Sequence, residues 1–227
     1  MVVSNAFMPD PRVYKEARSL VKHGFKVIVY AWDRECKYPQ SEIVDEILIQ
    51  RIHLKSKYGN FFMFITTVPI FWILVSLRIL SEKFDVIHCN DFDTLIVGVV
   101  MRLIKKNVKV IYDSHEVYVS MVSQYAPKIG LFIVKLEKLF CSFTDAIIVV
   151  NDFLKERFSN KLVVTIMNTS FLPDQKILQG NNLRTSLKNE KENFNIFYYG
   201  GLSVIRGILY LIKAVRGANA LIIRSDK

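Results

Sequence analysis

VKVIYDSHEVY, residues Val108 to Tyr118, is a short run of Val and Ile that ends abruptly in Asp113, Ser114, His115 and Glu116. An apolar run of this length reads as a strand buried on both faces, as in a parallel sheet covered by helices. Open α/β sheets place their ligands just beyond the carboxyl ends of such strands. The polar cluster therefore has a ligand-facing address and carries titratable groups. Nearness to a strand end does not separate a base from an orienting group or a helix cap, so Asp113 and Glu116 stay open among those roles. For His115 the alternatives are a functional imidazole and a histidine held in a turn by Asp113 or Glu116.

The same grammar repeats outward from this stretch. Val2 and Val3 run straight into Ser4 and Asn5. Asp10-Pro11 then opens a helix, with Asp10 as N-cap and Pro11 at the first helical position. Val13, Ala17, Leu20 and Val21 recur at helical spacing, and Gly24 is the stop. Further strands are expected at Phe25 to Trp32, Ile47 to Leu54, Asp85 to Cys89, Ala146 to Val150 and Leu162 to Met167. Helices are expected near Thr94 to Lys105 and Leu131 to Phe143. Strands alternating with helices predict an α/β fold with a doubly wound, mostly parallel sheet. Asn5, Asn90, Asp91, Asn151 and Asn168 then all fall at carboxyl ends of strands. Each taken alone reads equally as a helix cap; as a set on one edge they favour a ligand cleft.

Composition bounds the function. The chain has 227 residues, 51% of them hydrophobic, enough for a real core, and its low Gly, Pro and Cys counts exclude fibrous, disordered and disulfide-scaffold classes. Cys36, Cys89 and Cys141 form no CxxC pair and read as reduced thiols of a cytoplasmic protein. No Cys or His has a neighbour at ligand spacing, so no metal is expected. The formal charge of +10 is carried by dispersed Lys and Arg without an aromatic–basic motif, which argues against nucleic acid. An anionic membrane surface or a phosphate-bearing substrate is compatible with the excess. No basic segment precedes an apolar one at the N-terminus, so no signal peptide is expected. SNAFMPDPR follows the first strand where a dinucleotide site needs GxGxxG, which argues against a nicotinamide dehydrogenase.

No charged residue lies between Lys57 and Arg78, and FFMFITTVPIFWILVSL fills most of that interval. The length approaches the roughly 20 residues of a membrane-spanning helix. A span here would put the two halves of one sheet on opposite sides of a membrane. A helix packed on the sheet and touching the inner face of an anionic membrane through residues 58–78, or a plain core helix, avoids that conflict. Pro69 is expected to kink or break it.

Residues 171–193 turn polar with no apolar period, as a linker does. A new strand at Phe194 to Tyr199, the pair Gly200-Gly201 and a helix from about Arg206 follow. The expected organisation is a domain over 1–170, a linker over 171–193 and the start of a second domain over 194–227.

DPRVYKEARSLVKHGFKVIVYAW, FDVIHCNDFDTLIVGVV, VKVIYDSHEVY, TDAIIVVNDFLKERF, VVTIMNTS and FYYGGLSVIRGILYLIKAV resemble, in order, the N-terminal part of glycosyltransferase family four, retaining enzymes of the GT-B fold. The resemblance implies two facing Rossmann-like domains, the first binding acceptor and the second a nucleotide-sugar donor. It gives His115 the place of the histidine that reaches the donor sugar. Arg12, Asn90 and Asp91 take acceptor-side or cleft positions; for Arg12 a surface salt bridge is the alternative. Gly200, Gly201 and Arg206 match the segment that grips the donor diphosphate, although the basic residue usual after the first Gly is replaced by Gly201. The family's paired late glutamates have no counterpart up to Lys227. The resemblance therefore implies transfer, with retention and without metal or cofactor, to a lipid-linked or polysaccharide acceptor of the cell envelope. It also implies that a partner chain supplies the missing half for turnover. A nucleotide-sugar epimerase of the same architecture and a non-catalytic acceptor-binding remnant are the alternatives.

Overall fold

The computed structural model describes residues 1–8, 10–57, 61–115, 127–158, 161–169, 198 and 207–217. The chain divides into two compact units, Met1–Thr169 and Ser170–Lys227. Residues 171–193, where a linker is expected, lie outside the described residues.

The first unit is built on one eight-stranded sheet. Its strands are β1 (Val2–Val3), β2 (Ile28–Asp33), β3 (Ser41–Val44), β4 (Ile47–His53), β5 (Val86–Asn90), β6 (Lys109–Ser114), β7 (Ala146–Val149) and β8 (Val163–Thr165). The spatial order is β3-β4-β2-β1-β5-β6-β7-β8. Every pairing is parallel except β3 with β4. From β1 the chain first builds outward through β2 to β4. It then returns across the sheet to β5 and builds the other way, so the strand order reverses at β1. This is the doubly wound arrangement expected from the sequence.

Helix α1 (Pro11–Lys22) covers one face. Asp10 caps it, its side chain accepting from the backbone N–H groups of Arg12 and Val13, and Pro11 occupies the first turn. Its Val13 and Ala17 pack with Val3, Val29, Ala31, Ile47 and Ile49 of the strands beneath. Helices α2 (Phe61–Leu80), α3 (Phe92–Ile104) and α4 (Pro127–Cys141) adjoin one another in turn, with the larger core cluster between them and the sheet. Phe71 of α2 stacks on Trp32 of β2, ring centroids 4.9 Å apart, and the Trp32 indole N–H donates to the Leu54 carbonyl at 2.8 Å. A short helical turn, α5 (Asp152–Lys155), leads into β8. In the second unit, helix α6 (Ile208–Gly217) follows Gly207. Gly207 has φ +75°, a backbone that glycine adopts freely.

The structure adds one strand and corrects two expectations. Ser41–Val44 forms an edge strand, antiparallel to β4, joined to it by Asp45 and Glu46 at φ +48° and +63°. Two positive φ values in a two-residue loop make a type I′ hairpin turn, here without the glycine that usually announces one. Pro69 also fails to break its helix, since α2 runs through it. Pro69 is the ninth residue of α2 and removes one intrahelical bond, and the core packing of Val68, Phe71 and Val75 on either side of it keeps the helix continuous. The membrane-spanning reading falls as well. Among the described residues no helix is long and apolar enough to cross a membrane.

Candidate functional site

A doubly wound sheet opens a crevice where its strand order reverses, beyond the carboxyl ends of the strands. Here that place is the neighbourhood of β1, β2, β5 and β6. Four of the expected site residues meet there, Asn90, Asp91, Asp113 and His115, with Asn5 and Arg12 on the adjoining cleft.

The geometry follows from strand register. Asn90 of β5 lies opposite Asp113 of β6, and His88 lies opposite Ile111. Partners in a parallel pair share a face, and residues two apart on a strand do too. His88, Asn90 and Asp113 therefore share a face, and Glu16 of α1, the helix over that face, reaches His88. The Asp113 Oδ2 accepts from His88 Nε2 at 3.1 Å and lies 3.2 Å from His115 Nε2. Glu16 Oε2 is 3.8 Å from the same His88 nitrogen. Asp113 is fully buried, His115 is 5% exposed and His88 is 7% exposed.

This packing sets protonation. Burial disfavours the Asp113 charge, but both histidines beside it overcome that and hold its carboxyl well below the usual range. Burial works against a charged His115 too. The Asp113 carboxylate, with Asp91 and Glu16 at longer range, outweighs it and raises the imidazole. Glu16 moves the other way: burial first, then the Asp113 charge, push it up to about 8. Asp91 is pushed up to about 7 by burial and by Asp93, while His115 and Arg12 pull it back. At neutral pH the site thus holds a carboxylate at Asp113 and a proton on Glu16, and the His115 ring is biased towards its cationic form. A cationic imidazole is a hydrogen-bond donor and an electrostatic stabiliser, and it is no base.

Asp91 stands at φ +67°, a left-handed backbone that costs a non-glycine residue energy, and its side chain makes no cap bond to α3. The cap reading fails for it. That reading holds for Asn151, whose side-chain oxygen accepts from Leu154 N–H at 2.9 Å at the start of α5. Asn90 is buried, and its amide donates to the Val2 carbonyl at 3.1 Å. Asn5 is a scaffold for the turn after β1: its oxygen accepts from Phe7 N–H at 2.7 Å, and its amide donates to Asp10 at 2.8 Å. Glu116, Gly200, Gly201 and Arg206 lie outside the described residues.

Beside the cluster a cleft of about 380 Å³ opens at the ends of β1 and β2, with Asn5, Arg12, Trp32, Arg34 and Lys37 among its walls. The Arg34 guanidinium lies 4.1 Å from the Trp32 ring centroid. Fully buried Arg51 shapes the approach by donating to the carbonyls of Ala6 at 2.9 Å and Pro39 at 3.0 Å and pairing with Glu42. Arg12 borders the cleft and pairs with Asp10 at 3.8 Å. Both readings offered for it, cleft wall and salt bridge, therefore describe it.

Reasoning from the sequence alone missed Glu16 and read His88 as a satisfied core histidine. His88 is indeed buried and hydrogen-bonded, but its partner is the site carboxylate. The available signal was the matched pattern of His88 with Asn90 and Asp113 with His115 on neighbouring strands. Ligand atoms of Glu16, His88 and Asp113 lie within 4.8 Å of one another, a span that a divalent ion could bridge. The thiols of Cys89 and Cys141 are buried and pushed up to about 12, Cys89 by burial alone and Cys141 by burial with Glu137, so neither is a nucleophile at neutral pH.

Residues 12–165, more than half of the chain, match the family described as Glycosyltransferase Family 4. None of the curated proteins matches the chain. Among solved structures, sucrose-phosphate synthase from Thermosynechococcus elongatus is similar over 96% of this chain, with a TM-score of 0.74 and 15% identity. A second chain of that synthase gives a TM-score of 0.55 and 14% identity, covering 82% of this chain and 97% of its own. The likeness is one of fold, a GT-B Rossmann-like sheet. The present chain spans 59% of the first synthase chain.

Proposed function

This chain belongs to Glycosyltransferase Family 4, and from that membership we propose that it moves a sugar from a nucleotide-sugar donor to a lipid-linked or polysaccharide acceptor, with retention and without metal. The observation that carries the reading is the buried Asp113–His115 pair at the reversal of strand order, inside the family-matched segment. A nucleoside diphosphate leaves as an anion. A cationic His115 held by Asp113 is suited to donate to the donor sugar or to the departing oxygen, an electrostatic contribution that a neutral ring would supply less well. Arg12, Asn90 and Asp91 are proposed as acceptor-side groups. Gly200, Gly201 and Arg206 are proposed as donor-side groups.

Contact with the inner face of an anionic membrane belongs to the same proposal. Helix α2 buries Val68, Phe71, Val75 and Ile79 and turns Ile70, Ile73, Leu74 and Leu77 outward. A lipid-linked acceptor would reach the cleft from such a surface.

The test is transfer of labelled sugar from a panel of nucleotide sugars to a membrane lipid extract, by the chain and by His115→Ala. Product from the chain, reduced about 100-fold or more in the variant, is the expected result. Equal turnover by both proteins removes His115 from the chemistry. Binding of the lipid acceptor without transfer from any donor would favour the acceptor-binding alternative.

A further inference from the structure

The cluster around Asp113 contains two buried carboxyl oxygens, Glu16 Oε2 and Asp113 Oδ1, with no hydrogen-bond partner among the described residues. Two ionised carboxylates do not share so small and dry a space, because each repels the other and neither is solvated. One proton placed between them satisfies both. The remaining Asp113 oxygen is already taken by His88 at 3.1 Å and approached by His115 at 3.2 Å. Both ring nitrogens of His115 are buried without a hydrogen-bond partner among the described residues, and Nε2 is held to Asp113 by the ion-pair contact alone.

We propose that Glu16 is a positioning residue for His115: the Glu16 carboxyl and the His88 imidazole hold the Asp113 carboxylate from two sides, and Asp113 fixes the His115 ring through its contact with Nε2. The proposal rests on the reading of His115 as the donor-side histidine only for its consequence in catalysis; the coupling itself is a property of the folded chain. Every charged group facing the cluster takes part. From the α1 cap and helix come Asp10, Arg12 and Glu16, from the β5–α3 turn and first turn of α3 Asp91 and Asp93, and from β5, β6 and the residue after β6 His88, Asp113 and His115 itself. Asp113 stays ionised because both imidazoles lie against it, and Glu16 is kept protonated first by its burial and then by the Asp113 charge. Removing the Glu16 proton above about pH 8 adds a second negative charge near His115 and tightens its hold on its own proton.

The chain has only four histidines, so the rings can be followed individually by long-range ¹H–¹⁵N spectra of the full 227-residue protein labelled at histidine. Spectra are taken from pH 5.5 to 9.5 for wild type, Glu16→Gln, Glu16→Ala and Asp113→Asn. In Asp113→Asn the His115 midpoint should fall by about one pH unit or more, tenfold in proton affinity, because the main opposition to burial is gone. Glu16→Ala should alter the His115 Nδ1 and Nε2 shifts at pH 7. Glu16→Gln, a neutral isostere, should restore them at pH 7 and should depart from wild type above pH 8, with a lower His115 midpoint. A purely packing role for Glu16 would not give that pH-dependent split, and Glu16→Gln answers the question even if the alanine variant fails to fold. His115 signals that coincide in wild type and Glu16→Gln at every pH would overturn the proposal. So would stoichiometric binding of added Zn²⁺ that shifts His88, since Glu16 would then be a ligand. Loss of transfer in His115→Ala with these spectra unchanged would leave the functional reading standing and remove only the coupling.

Discussion

Glu16 and Asp91 bind their protons more tightly in the folded chain than in water, rising from 4.5 to about 8 and from 3.8 to about 7. Between those limits the native state holds more protons than the unfolded state, so stability falls as pH rises. His115 adds to the same slope: its raised native affinity stabilises fully below the ordinary histidine value and is lost as pH climbs through the native one. Asp113 opposes only in acid, where protonating it below the usual carboxylate range removes its stabilisation. The denaturation midpoint in urea should therefore be higher at pH 5 than at pH 7 and lower again at pH 8.5, and Glu16→Gln should flatten the slope. A wild-type midpoint independent of pH across that interval would contradict the assigned charges. Part of this site was legible in the residue order. Asp113 lies near the end of β6 and His115 directly follows its last residue, so strand alternation carried one residue further puts both on one face. Glu16 was not legible, because which turn of α1 meets β5 and β6 depends on how a helix docks, and one chain's periodicity does not encode that.

Seven of the eight strands and the helices α1, α3 and α4 could be read from periodicity, because apolar runs buried on both sides leave an unambiguous record. Strand β3 escaped because SEIV is an exposed edge whose only partner is β4, so no burial pattern marks it. The fit of α3 onto the sheet is another property of elements and not of composition. Gly98 sits where an added Cβ would lie 2.6 Å from Cys89 Sγ and 2.9 Å from Val110 Cγ1, on β5 and β6. The close approach keeps α3 pressed against the two strands that carry His88 and Asp113. Gly98→Ala gains helix propensity, yet overpacking should dominate and cost about 1–3 kcal/mol. Cys89→Ala removes the nearer clash, so the double variant should lose less than the sum of the two single changes. Urea unfolding of the four proteins measures this cycle, and a Gly98→Ala variant as stable as wild type would show that α3 sits farther from the sheet.

At the scale of the whole molecule, three helices on one side of the sheet leave apolar side chains in solvent: Ile70, Ile73, Leu74 and Leu77 on α2, Leu103 and Ile104 on α3, and Leu131, Phe132 and Leu139 on α4. Scattered exposed apolar residues need no explanation, but neighbouring helices presenting them on one side do. The chain also carries +10, and Arg78, Lys83 and Lys105 lie around the carboxyl ends of α2 and α3. Apolar burial and attraction to anionic lipid add, and the second of these is screened by salt. The proposed membrane contact therefore predicts flotation with vesicles containing phosphatidylserine or phosphatidylglycerol at low salt, much weaker flotation with neutral phosphatidylcholine, and partial release at about 0.5 M salt. Replacing Ile73 and Leu77 together by Ser should reduce binding about tenfold or more while leaving the fold intact, since both side chains are 60% exposed. Equal binding to neutral and anionic vesicles would remove the electrostatic half of the argument. Unchanged binding of the double variant would move the contact away from α2. Were the contact located on α2 as expected, the same helix that packs Phe71 on Trp32 would link the lipid surface to the strand ends at which Arg34 and the cleft begin.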